Sequence, residues 1–289
     1  MKFWQVLSFT EPEQLVPVAK IVEEVGFDGI LVSDHLFFPG KLESRYPYSP
    51  DGRPGFAPET PFPDPWGAIA AMSAVTSRLR FGTMVYILPL RHPLEVAKAT
   101  STAAVLSGGR VVLGAGAGWI REEYDALGVD FRTRGKRFDE SIEVLRSLWR
   151  GGMVEHRGRF FDFGPLQMSP APPAPIPIYV GGTSAPALRR AARLGDGWIG
   201  TGQSPEEAVA VVERLAQLRA EAGRAGEPFD AVVPLTVPPD PDELRRLEDA
   251  GVTGTTAYPF SYTIGPSSSL EQKRAVLEGY ADAVIAKLR

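Results

Sequence analysis

Short apolar runs alternate with longer stretches whose apolar residues recur at i, i+3 and i+4, and this alternation continues almost to the end of the chain. The short runs predict strands at Phe3–Ser8, Gly29–Ser33, Leu79–Val85, Val111–Gly114, Ile176–Val180, Gly197–Gly200, Ala231–Leu235 and Val252–Ala257. The longer stretches predict helices at Glu13–Val25, Trp66–Thr76, Pro93–Leu106, Gly135–Trp149, Ala185–Leu194, Pro205–Ala222 and Asp242–Asp249, with a closing helix over Leu270–Leu288. Gly26 and Gly251 each follow the last turn of a helix and precede a strand, as expected where a helix ends in left-handed backbone. Eight strands, each followed by a helix, predict an α/β fold: a (β/α)8 TIM barrel. A chain of 289 residues suits one such domain over residues 1–289, since these barrels take about 250 residues before insertions are added.

Two segments interrupt the repeat. Residues 36–65 end in "YPYSPDGRPGFAPETPFPDP" and predict a long loop after the second strand. Loops of this length in compact domains are usually either functional or disordered. Residues 151–175, "GGMVEHRGRFFDFGPLQMSPAPPAP", predict a hairpin-like excursion with a Pro-rich lead into the fifth strand. Both are expected as insertions at the C-terminal face of the barrel.

Composition narrows the function. The chain has no cysteine, which excludes disulfides, thiolate nucleophiles and cysteine metal sites. A net charge of −4 argues against a nucleic-acid partner, which would call for a basic face. No apolar run approaches the roughly 18 residues of a membrane span, and "MKFWQVLSF" is too short for a secretory leader. The expectation is a cytoplasmic protein acting on a small molecule, with no membrane association. With three histidines and no H-x-H pair, no metal site is expected, and a metal hydrolase is disfavoured.

Barrel chemistry gathers where strands end. The fourth strand ends in "RVVLGAGAGWIREE", residues 110–123. A dinucleotide loop needs G-x-G-x-x-G on the first strand–helix turn, whereas here Trp119 takes the place of the third glycine, and on the fourth strand. Two readings stay open: a tight turn with no ligand, or bare backbone that a flat ring approaches closely. The second strand ends in Asp34-His35 and the third in Met84-Val85-Tyr86. The fifth runs into Gly181-Gly182-Thr183-Ser184 ahead of a helix, which is either a phosphate cradle or a plain N-cap. Glu122 and Glu123 open a short helix, where acids complement the dipole. There is no G-x-S-x-G nucleophile elbow and no carboxylate pair of the glycosidase kind. A ring platform and a phosphate cradle without a strong nucleophile indicate that a bound cofactor does the chemistry.

These residues resemble the bacterial-luciferase-like monooxygenase family, and most closely its branch using the deazaflavin coenzyme F420. The matching stretches are "SDHL" (33–36), "SRYPYSPDGR" (44–53), "RFGTMVYILPLRHP" (80–93), "LSGGRVVLGAGAGWIREEYDALGV" (106–129), "GKRFDESIEVLRSLW" (135–149) and "PIYVGGTSAPALRRAARLGDGW" (177–198). They cover most of residues 1–200; beyond that only the general layout matches. The resemblance implies a cofactor across the C-terminal mouth, with a non-prolyl cis peptide at Met84-Val85 behind its ring. It assigns Asp34 and His35 to the ring end, Gly116, Gly118 and Glu122 to the ring and ribityl chain, and Gly181, Gly182 and Thr183 to the phosphate. His35 becomes the candidate catalytic residue, and Trp4, Phe37, Phe38, Tyr86 and Trp119 a candidate apolar substrate lining.

Sugar-phosphate dehydrogenases of this branch carry a Trp shortly after the Asp-His pair and a Glu after the glycines. Here Phe37, Phe38 and Pro39 follow the pair and Trp119 takes the Glu position, so sugar-phosphate oxidation is not expected. The activity implied is F420-dependent hydride transfer to or from a small organic substrate, in a homodimer. Arg45, Arg53 and Arg189 are candidates for the F420 tail. The alternatives are an FMN-dependent monooxygenase supplied by a flavin reductase, and a non-catalytic ligand-binding barrel.

Overall fold

The computed structural model describes all 289 residues. The strands are β1 (Lys2–Val6), β2 (Gly29–Val32), β3 (Arg80–Thr83), β4 (Tyr86–Ile87), β5 (Val111–Gly116), β6 (Met153–Arg157), β7 (Asp162–Gln167), β8 (Ile178–Gly181), β9 (Gly197–Ile199), β10 (Asp230–Val233) and β11 (Gly254–Ala257). Parallel pairing runs β1-β2-β3-β5-β8-β9-β10-β11 and closes from β11 back to β1. β4 continues the path of β3 and pairs with β5. This is a closed (β/α)8 barrel.

Side chains alternate along each strand, so the core has two parts. Trp4, Val6, Leu31, Val112, Tyr179, Ile199 and Val232 fill the barrel interior. Phe3, Ile30, Phe81, Val111 and Ile178 face outward into the larger core beneath the helices. Trp4 is 1% exposed and belongs to the interior plug, not to a substrate surface.

The two insertions part company. The segment after β2 folds over the C-terminal mouth. The β6–β7 hairpin leaves from the opposite end, after the helix Arg134–Trp149, and lies along the outside of that helix. Glu140 of the helix accepts the N–H groups of Phe160 and Phe161 at 3.0 and 2.8 Å, and Phe161 stands 5.2 Å from the His92 ring. None of the hairpin lines the mouth.

Two further elements depart from the periodicity. The third strand breaks after Thr83 and resumes at Tyr86, with the Met84–Val85 peptide cis. The closing helix runs as α-helix over Leu270–Tyr280 and widens to a π turn over Ala281–Ile285. It is tied to the β1 end by Lys273, fully buried, whose ammonium pairs with Glu11 at 2.9 Å and donates to Gln14 and Ser268. No helix is long and apolar enough to cross a membrane.

Candidate active site at the barrel mouth

A cleft of about 590 Å³ opens at the C-terminal ends of the strands. Asp34, His35, Met84, Val85, Gly116, Gly118, Gly181, Gly182 and Trp119 line it together. The strand-end rule therefore brings most of the sequence candidates to one place.

The glycines of β5 are bare for a reason the sequence did not reveal. A Cβ on Gly114 would fall 1.8 Å from the Thr83 carbonyl oxygen, and one on Gly116 would fall 2.5 Å from Val85 Cγ2. Gly181 on β8 meets the other methyl of Val85 in the same way, at 2.7 Å. The break between β3 and β4 thus sinks into the room these glycines leave. Val85 wedges between two strands, and the cis peptide sits over them as part of the cleft floor. Thr83 Oγ1 fastens the break by donating to the Gly114 carbonyl at 2.7 Å.

Asp34 sits against this floor, 4% exposed. Its carboxylate accepts from Arg91 Nη2 at 2.7 Å and from the Ile87 amide at 2.8 Å, so it fixes β4. Burial pushes the Asp34 carboxyl up, while the guanidinium fork and the amide oppose that push. Tyr86 does not reach the cleft. It is buried, with the Arg91 guanidinium 4.3 Å from its ring centroid and Trp66 edge-on at 5.8 Å.

His35 faces the other way. Its Nδ1 lies 3.2 Å from Glu123 Oε2, and Glu123 Oε1 accepts the Leu36 amide at 2.8 Å. Glu123 is fully buried. A carboxylate only accepts, so the contact is a hydrogen bond in the tautomer that carries its proton on Nδ1; Nε2 has no protein partner. A histidine clamped on one nitrogen and open on the other is poised to take or give a proton at Nε2.

Glu122, assigned to the cofactor by resemblance, points out of the cleft. It accepts from the Ser44 amide at 3.0 Å, the Ser44 hydroxyl at 2.6 Å and the Glu43 amide, and so pins the long loop to the short helix Arg121–Ala126. Partial burial works against these bonds, but they hold the Glu122 carboxyl down to about 2. A depressed folded-state value stabilises the fold above the unfolded value of about 4.3, and that contribution disappears as pH falls through about 2. The melting-temperature gap between wild type and Glu122→Gln is therefore expected to be widest at neutral pH. It should shrink between about pH 4.5 and pH 2; a constant gap would mean that the carboxylate charge does not hold the loop.

The β8 end carries the candidate anion site. Gly182 is left-handed at φ 103°, and the Trp198 indole fixes its carbonyl at 2.8 Å. Ser184 caps the helix Ala185–Leu194, its hydroxyl accepting from Ala187 N at 3.4 Å. The backbone N–H groups of Thr183, Ser184 and Ala185 donate to no protein group, which leaves the positive end of the helix open. Ser184, not Thr183, supplies the cleft-lining side chain. Arg45 and Arg134 also reach the cleft; Arg53 and Arg189 are exposed and off it.

The apolar lining differs from the expected set. Phe37 is exposed, and Phe38 stands behind Phe56 without reaching the cleft. The rings that do line it are Phe9, Tyr46, Tyr48, Phe56, Phe62, Trp119, Phe131 and Tyr262. Four of these come from the long loop, whose aromatic content was the only signal for them. Phe9 follows β1 and is the one non-glycine residue in left-handed backbone, φ 64°; reading the end of the first strand would have found it.

The closed parallel barrel, with its glycines at the end of the fourth barrel strand, is not a dinucleotide domain. The sequence profile of the luciferase-like monooxygenase family matches residues 5–283, and the chain belongs to that family, whose members are oxidoreductases and monooxygenases. An uncharacterized protein of Mycobacterium tuberculosis is 41% identical over the whole of both chains. An F420-dependent glucose-6-phosphate dehydrogenase of Beutenbergia cavernae is 32% identical over 91% of this chain and 75% of its own. Among solved structures, an F420-dependent secondary alcohol dehydrogenase holding an F420–acetone adduct superposes with a TM-score of 0.78. It is 15% identical, and the match covers 100% of this chain and 99% of that one.

Proposed function

We propose that this protein is an F420-dependent oxidoreductase that moves a hydride between the deazaflavin C5 and a small organic substrate, with His35 handling the accompanying proton. The observation that carries the reading is the His35–Glu123 pair, which leaves Nε2 open over a floor made of the Met84–Val85 peptide and Gly116. The residues suit the cofactor. The floor is the Met84–Val85 peptide flanked by Gly116 and Gly181, and the free N–H groups at Thr183–Ala185 offer a seat for its phosphate. Arg45 and Arg134 can meet a polyanionic tail. Bound there, the deazaflavin supplies two-electron hydride chemistry with little activation of oxygen. Asp34 orients the floor through Ile87, Glu123 orients the imidazole, and Nε2 takes the proton of a substrate hydroxyl or returns it to a carbonyl oxygen. The F420-dependent relative supports the choice of cofactor. Its sugar-phosphate substrate is not carried over, because Trp119 and Phe37–Pro39 depart from the pattern expected for that activity.

The test is a titration of the purified protein with oxidised F420 and, separately, with FMN, followed by cofactor fluorescence. Micromolar binding of F420 with much weaker FMN is the expected result. The reverse preference would make this a flavin monooxygenase, and binding of neither would overturn the cofactor assignment.

A further inference from the structure

The half of the cleft around His35 is walled by rings. Phe56 and Phe62 stand 5.1 Å from the imidazole centroid and Trp119 6.0 Å. Phe9 extends the wall at 5.7 Å from Phe62, and Tyr46 continues it at 5.2 Å from Trp119. No arginine or lysine side chain stacks on these five rings. Arg91 is taken by Asp34, Arg45 donates to the Asp51 carbonyl at 3.1 Å, and Arg134 lies 3.8 Å over the Phe131 ring and donates to its carbonyl. The polar atoms offered among these rings are His35 Nε2, the Trp119 indole N–H and the Tyr46 hydroxyl, of which Nε2 is the one able to accept and return a proton.

Resting on the function proposed above, we propose that this chamber selects a neutral, predominantly apolar ring-sized substrate carrying one hydroxyl or carbonyl oxygen, which meets His35 Nε2. Phe56, Phe62 and Trp119 set that selectivity. Flat and edge-on aromatic faces bury a hydrocarbon ring well. A phosphate ester held against these rings would lose its water with no cation stacked among them, so anionic substrates are disfavoured by desolvation. One substrate oxygen meets Nε2; a polyhydroxylated sugar carries more hydroxyls than the few polar atoms among these rings can pair.

Trp119 makes binding readable without turnover. The other four tryptophans, Trp4, Trp66, Trp149 and Trp198, are buried, at 1%, 4%, 7% and 0% exposure, and only Trp119 is open to a ligand in the cleft. Cyclohexanone and cyclohexanol are the probes, glucose 6-phosphate and glucose the comparisons, each titrated with and without F420. Saturable quenching by the ring probes is expected, with at least tenfold weaker response to both sugars. Trp119→Phe should abolish the signal, and Phe56→Ala or Phe62→Ala should weaken apparent affinity at least fivefold. Phe56→Leu keeps the wall packed, so it should fold normally and lose less. Glucose 6-phosphate acting at equal or lower concentration than the rings would overturn the proposal, as would ring affinity unchanged in the alanine variants. Ring binding without any F420 binding would leave the chamber standing and remove the cofactor reading. F420 binding with no response to either ring would remove the chamber alone.

Discussion

His35→Ala is expected to lower turnover by about 10²–10⁴-fold, the usual contribution of a positioned acid–base group, while changing F420 affinity only a few-fold. The split follows from geometry. The floor and the helix N-terminus that would hold the cofactor are built from backbone and from Val85, and neither depends on the imidazole. The proton, by contrast, is handled at Nε2, which has no protein partner, and Glu123 is sealed behind the ring. Removing the ring leaves Glu123 with the Leu36 amide, so His35→Asn is the companion variant that fills the space without an Nε2. Glu123→Gln should fall between wild type and His35→Ala, since the amide still touches Nδ1 but no longer selects one tautomer. Steady-state kcat and a separate cofactor titration on each variant check this. Wild-type turnover in His35→Ala would end the catalytic assignment.

Asp34→Asn is expected to cost about 3–5 kcal/mol of stability, on the order of a 10 °C fall in melting temperature. Asp34 and Arg91 side chains are 1% and 12% exposed, so the guanidinium cannot escape to water when its partner is neutralised. An asparagine can accept from the Ile87 amide or face Arg91 with its oxygen, but its NH2 must then oppose a donor. The damage should extend to the site. Ile87 belongs to the two-residue strand that resumes after the Met84–Val85 break, and loosening it loosens the floor. Thermal unfolding with circular dichroism gives the stability change, and weakened cofactor binding in the same variant gives the second reading. A shift below about 1 kcal/mol would mean that the pair stands in high-dielectric surroundings despite its burial.

Much of the barrel was legible because its signals are local. Apolar period and helix-ending glycines locate every barrel strand and its helix to within a few residues, and the rule that barrel chemistry sits at strand ends picks out Asp34, His35, Met84, Val85 and the glycines. Two adjacent acids show where that reasoning stops. Glu122 and Glu123 lie on a helix of six residues, one step of about 100° apart, and no pattern in so short a segment says which faces inward. Packing decides: Glu123 turns in to a histidine 88 positions earlier, and Glu122 turns out to the loop. The same holds for the aromatics. A loop without periodicity carries Phe37, Phe38, Phe56 and Phe62, and only its path over the mouth sends the last two to His35. Likewise the β5 glycines announced a close approach but not what approached, because the occupant, Val85, belongs to another strand. The sequence by itself determined the elements, their order and the strand ends, since each depends on neighbours along the chain. The tertiary structure alone decided partners, facing and the shape of the substrate chamber, since each depends on residues that only folding brings together.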